Sequence, residues 1–216
     1  MNLYNFIIYN WSELLSFTLQ HLFLASVSTI IACAIGIPTG ILLTRKPQLS
    51  KPILGFANVV QTIPSLALLG FLIPLPFIGG IGPRSAIVAL SLYSLLPVIS
   101  STHAGIKGID GAVIEAGRGM GMNDRQLLLQ VEIPLAAGVI LAGIRVAMVL
   151  SIGIATIAAM TGAGGLGMYI FRGISMLDHR LILAGAIPSA LLALSADMIL
   201  GIIQRKIQAS SHQRPK

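Results

Sequence analysis

Five apolar runs, at residues 21–44, 52–75, 85–101, 135–159 and 181–203, limit what this chain can fold into more than any motif it carries. A helix needs about 20 residues to cross a hydrocarbon core of about 30 Å. Inside that core the backbone must satisfy its own hydrogen bonds. The runs predict an all-α integral membrane protein with five transmembrane helices. Composition agrees, with 216 residues that are 55% hydrophobic and 10% charged, against about 25% charged in soluble domains. No repeat, low-complexity tract or second domain interrupts the pattern, so one transmembrane domain is expected over 1–216, with its core at 20–205.

The net charge of +7 could suggest nucleic acid, but no stripe of interleaved basic and aromatic residues accompanies it, and the basic residues are arranged by side. With the N-terminus outside, Arg45, Lys46, Lys51, Lys107, Arg118, Arg125, Arg205, Lys206, Arg214 and Lys216 fall inside, and only Arg84, Arg172 and Arg180 fall outside. That is the positive-inside distribution, and it predicts an N-out, C-in topology with a cytoplasmic loop at 103–134 and a cytoplasmic tail at 206–216. The tail reads as a helix extension that frays. Ala32-Cys33-Ala34 has the look of a signal-peptide cleavage site, yet no Lys or Arg precedes the run, so an uncleaved span is expected. Cys33 has no second cysteine to pair with. Tyr4, Phe6, Tyr9, Trp11 and Phe17 place residues 1–20 at the outer interface, where aromatic rings are favoured.

Several features lie at membrane depth. Gln61-Thr62-Ile63-Pro64 and Leu96-Pro97 break the second and third runs, and such breaks are tolerated where neighbouring helices or a polar cavity satisfy the freed carbonyls. Gln61, Pro64 and Pro97 are therefore pathway candidates, with simple bending as the alternative. Gly36 and Gly40 have the small-residue spacing that lets helices approach closely, or else merely flank a kink at Pro38. Arg145 and Asp197 sit roughly 16 Å and roughly 10 Å from the cytoplasmic ends of their runs at ~1.5 Å per residue. A charge at such depth costs at least about 2.5 kcal/mol. A structural ion pair, a pathway role and snorkelling all remain open.

Gly162-Ala-Gly164-Gly165-Leu-Gly167 matches the dinucleotide pattern G-x-G-x-x-G, but it follows an apolar run instead of a strand and lacks an acid at the required distance. The glycines, with Gly164, Gly165 and Gly167 as pathway or helix-break candidates, are expected to end the fourth span and let residues 169–176 form a re-entrant or interfacial segment against the pathway. No phosphate-binding G-x-x-x-x-G-K-[ST] is present. His21, His103, His179 and His212 lack zinc spacing, are expected to be interfacial or solvated, and imply no metal. No catalytic constellation is visible.

The loop between the third and fourth runs has readable helix signals. Asp110 can cap a helix over 111–121, and Asn123 with Gln126 forms a capping box opening a second helix to 131. Gly117, Gly119 and Gly121 each cost about 1 kcal/mol in a helix, which points to close approach of another protein's backbone. Residues 115–134, EAGRGMGMNDRQLLLQVEIP, resemble the EAA loop of bacterial ABC importer permeases. Glu115, Ala116, Gly121 and Pro134 fall on that pattern, while Gly117, Val131 and Ile133 replace its second Ala, its Ile and its Leu. The resemblance implies a coupling helix that docks in an ATPase subunit, with Glu115 accepting backbone or Arg hydrogen bonds and Gly121 making the turn between two helices.

The resemblance extends over residues 20–205. QTIPSLALLGFLIPL, IVALSLYSLLPVI, IKGIDGAVIEAGRGMGM, IPLAAGVILAGIRVAMVLSIGIATIAAMTGAGGLG and IFRGI are similar to permease subunits of osmoprotectant importers for glycine betaine, carnitine, choline and related compounds. Met168 departs from the Asp often found there. The resemblance implies the type I importer permease fold and alternating access in the bacterial cytoplasmic membrane. It also implies partner ATPases holding ATP and Mg, with no cofactor in this chain, a second permease as homodimer or heterodimer, and an extracytoplasmic substrate-binding protein. With only 6% aromatic residues, the spans are poorly supplied for an aromatic cage around a quaternary ammonium, so tight recognition is expected on the binding protein. A permease for methionine or another amino acid is the alternative substrate reading, and an integral-membrane enzyme the alternative class.

Overall fold

A computed structural model describes residues 3–212; the side chains of Tyr4, His212, Arg214 and Lys216, invoked above, lie outside that description. The described backbone is helical, in the order α1 (Leu3–Tyr9), α2 (Trp11–Arg45), α3 (Ser50–Thr62), α4 (Ser65–Leu72), α5 (Pro83–Lys107), α6 (Gly111–Gly119), α7 (Asp124–Leu127), α8 (Ile133–Ala158), α9 (Gly167–Met176) and α10 (His179–His212). Four helical stretches, containing α2, α5, α8 and α10, are long and apolar enough to cross a membrane. A fifth crossing exists if α3 and α4, bent by 99°, count as one.

The second run is therefore not a straight span. Ile63 is extended at the end of α3 because a residue before proline is pushed out of the helical region, and the chain restarts at Ser65 in a new direction. The first span is longer than its apolar run. Residues 11–20 are the first turns of α2, continuous with the span, where Leu14 is buried and Glu13 accepts a hydrogen bond from Tyr169 Oη at 2.9 Å, while Tyr9 and Trp11 stay exposed. Phe6 and Phe17 meet the Tyr169 ring edge-on, at centroid distances of 6.0 and 5.2 Å. Phe6, Phe17 and Tyr169 are packed against protein. Pro97 lies within α5, which continues through it to Lys107, so the expected break does not interrupt the helix. α10 carries on beyond its apolar run to His212.

α5 is the central helix, packed against α2 on one side and α8 on the other. Small residues make both contacts. A Cβ on Gly36 would stand 2.8 Å from Val98 Cγ1, and one on Gly40 would stand 2.6 Å from Thr102 Cβ, which settles the Gly36–Gly40 spacing as a close helix contact. On the other side, Gly143 of α8 faces the Pro97 carbonyl and Ser101, each 2.5 Å from where a Cβ would be. Serines bridge the layers, with Ser94 Oγ and Ser151 Oγ 2.8 Å apart and Ser91 Oγ donating to the Ser28 carbonyl at 3.3 Å. Without water, such interhelical bonds and close van der Waals contact carry the association.

His21 corrects the expectation for the histidines. It is fully buried, and its Nε2 donates to the Ile152 carbonyl at 3.0 Å. Because α2 starts ten residues before it, His21 is held inside the helix contact with α8. Among the described residues no cluster of His, Cys, Asp or Glu could hold a metal ion.

Candidate functional site

The loop between α5 and α8 folds from its local signals. Asp110 caps α6 by accepting from Ala112 N at 3.0 Å, and Asn123 and Gln126 exchange the two capping-box hydrogen bonds, each 2.9 Å. Gly121 has φ +81°, a left-handed turn that glycine adopts without strain, so it makes the turn between α6 and α7. The second helix does not stop at 131. It passes through a π-helical turn, Leu128–Glu132, into α8, and a wider turn accommodates Pro134, whose ring obstructs the preceding α-helical turn.

Glu115 and Ala116 are exposed on α6, beside the exposed Val113 and Met120. Gly117 faces inward. A Cβ there would come within 2.7 Å of Leu127 Cδ1, so the close approach this glycine allows is to α7 of the same chain, which corrects the expectation of another protein's backbone at this position. A Cβ on Gly119 or Gly121 would meet nothing within 4 Å. Sequence reasoning passed over Glu132. It is 2% exposed, and Arg45 at the end of α2 donates to its Oε2. An acid between two apolar residues, two positions before Pro134, was the available signal.

At the break between α3 and α4, two separately chosen candidates meet. Pro97 has no N–H, so the Tyr93 carbonyl four residues earlier lacks its helical donor, and Gln61 Nε2 donates to that carbonyl at 3.0 Å. Tyr93 Oη in turn donates to the carbonyl of Ile63 at the break. The two helix irregularities satisfy each other. Gln61, Pro64, Tyr93 and residues Leu150 and Ile154 of α8 line a groove of about 320 Å³.

Arg145 of α8 and Asp197 of α10 form a bidentate pair, with Arg145 Nε and Nη2 each 2.5 Å from a carboxylate oxygen. This is the fork geometry that makes arginine–carboxylate pairs strong. The pair lines a second groove, about 440 Å³, together with Ala142, Val146, Leu150 and Gln204. Leu150 borders both grooves.

The glycine segment after α8 lies toward the opposite end of α8 from α6 and α7. Gly164 and Gly165 have φ of +81° and +82°, and Gly165 N donates to Gln20 Oε1 at 3.1 Å. A Cβ on Gly167 would lie 2.0 Å from the Thr156 carbonyl. Gly165 and Gly167 thus seal α9 against α2 and α8, while Gly164 lines a separate groove of about 490 Å³ with Gln20, Phe23 and Pro83. α9 packs chiefly on α10. At the turn joining them, hydrogen bonds from the Arg180 guanidinium lower the pKa of Asp178 to about 2.

Residues 36–209 match the family described as binding-protein-dependent transport system inner membrane component. The carnitine transport permease protein OpuCB of Listeria monocytogenes is 46% identical over 198 residues, covering 92% of this chain and 89% of that protein. The glycine betaine/carnitine/choline transport system permease protein OpuCB of Bacillus subtilis (strain 168) is 41% identical over 207 residues, 96% of this chain and 94% of that one. Among solved structures, inward facing conformations of the MetNI methionine ABC transporter align with a TM-score of 0.80 at 22% identity, over 90% of this chain and 95% of theirs, a likeness of fold. Fold and sequence together define a multi-pass ABC importer permease. The chain belongs to the family of binding-protein-dependent transport system inner membrane components.

Proposed function

We propose that this chain is the membrane-spanning permease subunit of an ABC importer for quaternary ammonium osmoprotectants such as glycine betaine, carnitine or choline. The observation that carries the reading is 46% identity to a carnitine permease across 92% of the chain. The likeness to a methionine transporter rests on 22% identity and supports the fold alone. Partner ATPases bind ATP and Mg and hydrolyse the nucleotide, an extracytoplasmic binding protein delivers substrate, and a second permease completes the pathway.

In this reading α6 is the coupling helix. Its exposed Glu115 and Ala116 meet the ATPase, while Gly117 and Gly121 set the angle between α6 and α7. Pro134 begins the span that receives the motion. Gln61, Pro64 and Pro97 shape the pathway wall, and Gly164, Gly165 and Gly167 fix the packing at its outer end. Substrate passes by alternating access as the ATPases close and reset.

The test is uptake of radiolabelled glycine betaine, choline and methionine by the importer assembled with its ATPase and binding protein. Competition by betaine and choline, with methionine inert, is expected. Glu115→Lys or Gly121→Trp should abolish uptake and ATPase co-purification while the permease stays in the membrane. Normal uptake and ATPase retention in both variants would reduce the loop to a connector.

A further inference from the structure

We propose that Arg145 and Asp197 are a specificity-determining pair that contacts the substrate, Asp197 taking its trimethylammonium group and Arg145 its carboxylate. The inference rests on the osmoprotectant reading above. Three observations carry it.

First, the pair is built at membrane depth yet left open. The side chains are 35% and 41% exposed, and an ionised pair at that depth faces a polar cavity or another protein, since facing lipid is costly. Snorkelling is ruled out by geometry, because Nε and Nη2 of the guanidinium are both held on the Asp197 carboxylate. Second, its groove continues along α8. Val146 and Leu150 are exposed, at 50% and 37%, and Leu150 joins the groove of the pair to the groove at the α3–α4 break. The break adds polar side chains to that groove, Gln61, Thr62, Ser65 and Tyr93. Third, the open side of α8 recurs at helical spacing, through Leu135, Val139, Val146, Leu150 and Gly153, so the face runs nearly the length of the span.

The chemistry fits a zwitterion. Glycine betaine and carnitine carry one positive and one negative group, and moving them through a low-dielectric interior is costly unless each charge has a partner. A protein ion pair that exchanges partners with the substrate offers both, and leaves neither Arg145 nor Asp197 uncompensated at any stage. The closed pair competes with the substrate, so the contact is weak and transient, as passage requires. Choline has a hydroxyl in place of the carboxylate and engages Asp197 alone.

The assembled importer in proteoliposomes tests this with radiolabelled glycine betaine and choline. The double variant Arg145→Gln with Asp197→Asn removes both charges and leaves none unpaired. Glycine betaine turnover should fall about tenfold or more, the scale of one lost charge-assisted hydrogen bond. Choline turnover should fall less, with ATPase co-purification and the uptake KM unchanged. Wild-type rates for both substrates, or equal loss of both, would overturn the proposal.

Should that variant fail to assemble, position 146 decides. In a Cys33→Ser background, Val146→Cys should be modified from water by a trimethylammonium thiol reagent, and excess glycine betaine should slow the reaction. No modification, the result if lipid or a second copy seals this face, overturns the proposal, as does modification that betaine does not slow. Failure of the underlying reading looks different, because a wild-type importer would then move neither betaine nor choline.

Discussion

Glu132 shows how one buried carboxylate can anchor the segment that joins α7 to α8. Its side chain is 3% exposed and its partner Arg45 is 40% exposed, so Arg45 recovers water when the pair is broken while Glu132 does not. Breaking a fully buried pair costs about 3 to 5 kcal/mol, and partial exposure of Arg45 lowers that toward about 1 to 2 kcal/mol. Arg45→Gln, which strands the buried carboxylate, is expected to destabilise more than Glu132→Gln. Thermal unfolding of the purified permease in detergent measures both, and equal shifts would show that burial of Glu132 does not set the cost. At the same scale, the glycines of the loop differ in purpose. Gly117 is required by a neighbour, Leu127, and Gly121 by its own backbone angle.

Two elements are joined where each is irregular. α5 keeps its helical course through Pro97 because Gln61 supplies the hydrogen bond that the proline cannot, and the break after α3 is held by the Tyr93 hydroxyl. A buried carbonyl left without a donor costs about 1 to 3 kcal/mol. Gln61→Leu should therefore destabilise by about that amount. In a Pro97→Ala background the restored N–H can satisfy the Tyr93 carbonyl, and the same Gln61→Leu change should cost markedly less. A double-mutant cycle on thermal stability reads the coupling. Strict additivity would mean that the proline does not create the need for Gln61.

For the whole molecule, the charge distribution and the helix order make a joint statement. α8 leads from α7 to α9 and α10 returns, so the turn after α9 and the turn after α6 lie at opposite ends. Leu177 is 85% exposed at the first and Met120 is 76% exposed at the second. In a Cys33→Ser background, a membrane-impermeant thiol reagent applied to intact cells is expected to label Leu177→Cys and to label Met120→Cys only after permeabilisation. The reverse pattern would invert the topology, and labelling of both in intact cells would remove one crossing.

The sequence by itself determined what depends on neighbours along the chain. Apolar length fixes which segments can cross a membrane, because a hydrocarbon core has one thickness. Caps such as Asp110 and the Asn123–Gln126 box close within three residues, so their hydrogen bonds were legible before any fold was known. Depth along two runs allowed Arg145 to reach Asp197, but only the packing of α8 on α10 brought them together. The tertiary structure decided what depends on residues far apart. Glu132 met Arg45 across 87 positions and His21 met Ile152 across 131, and no local pattern records such meetings. The 99° bend between α3 and α4 is of the same kind. A proline permits a break, but the angle is set by the hydrogen bonds and packing that α5 offers on the other side.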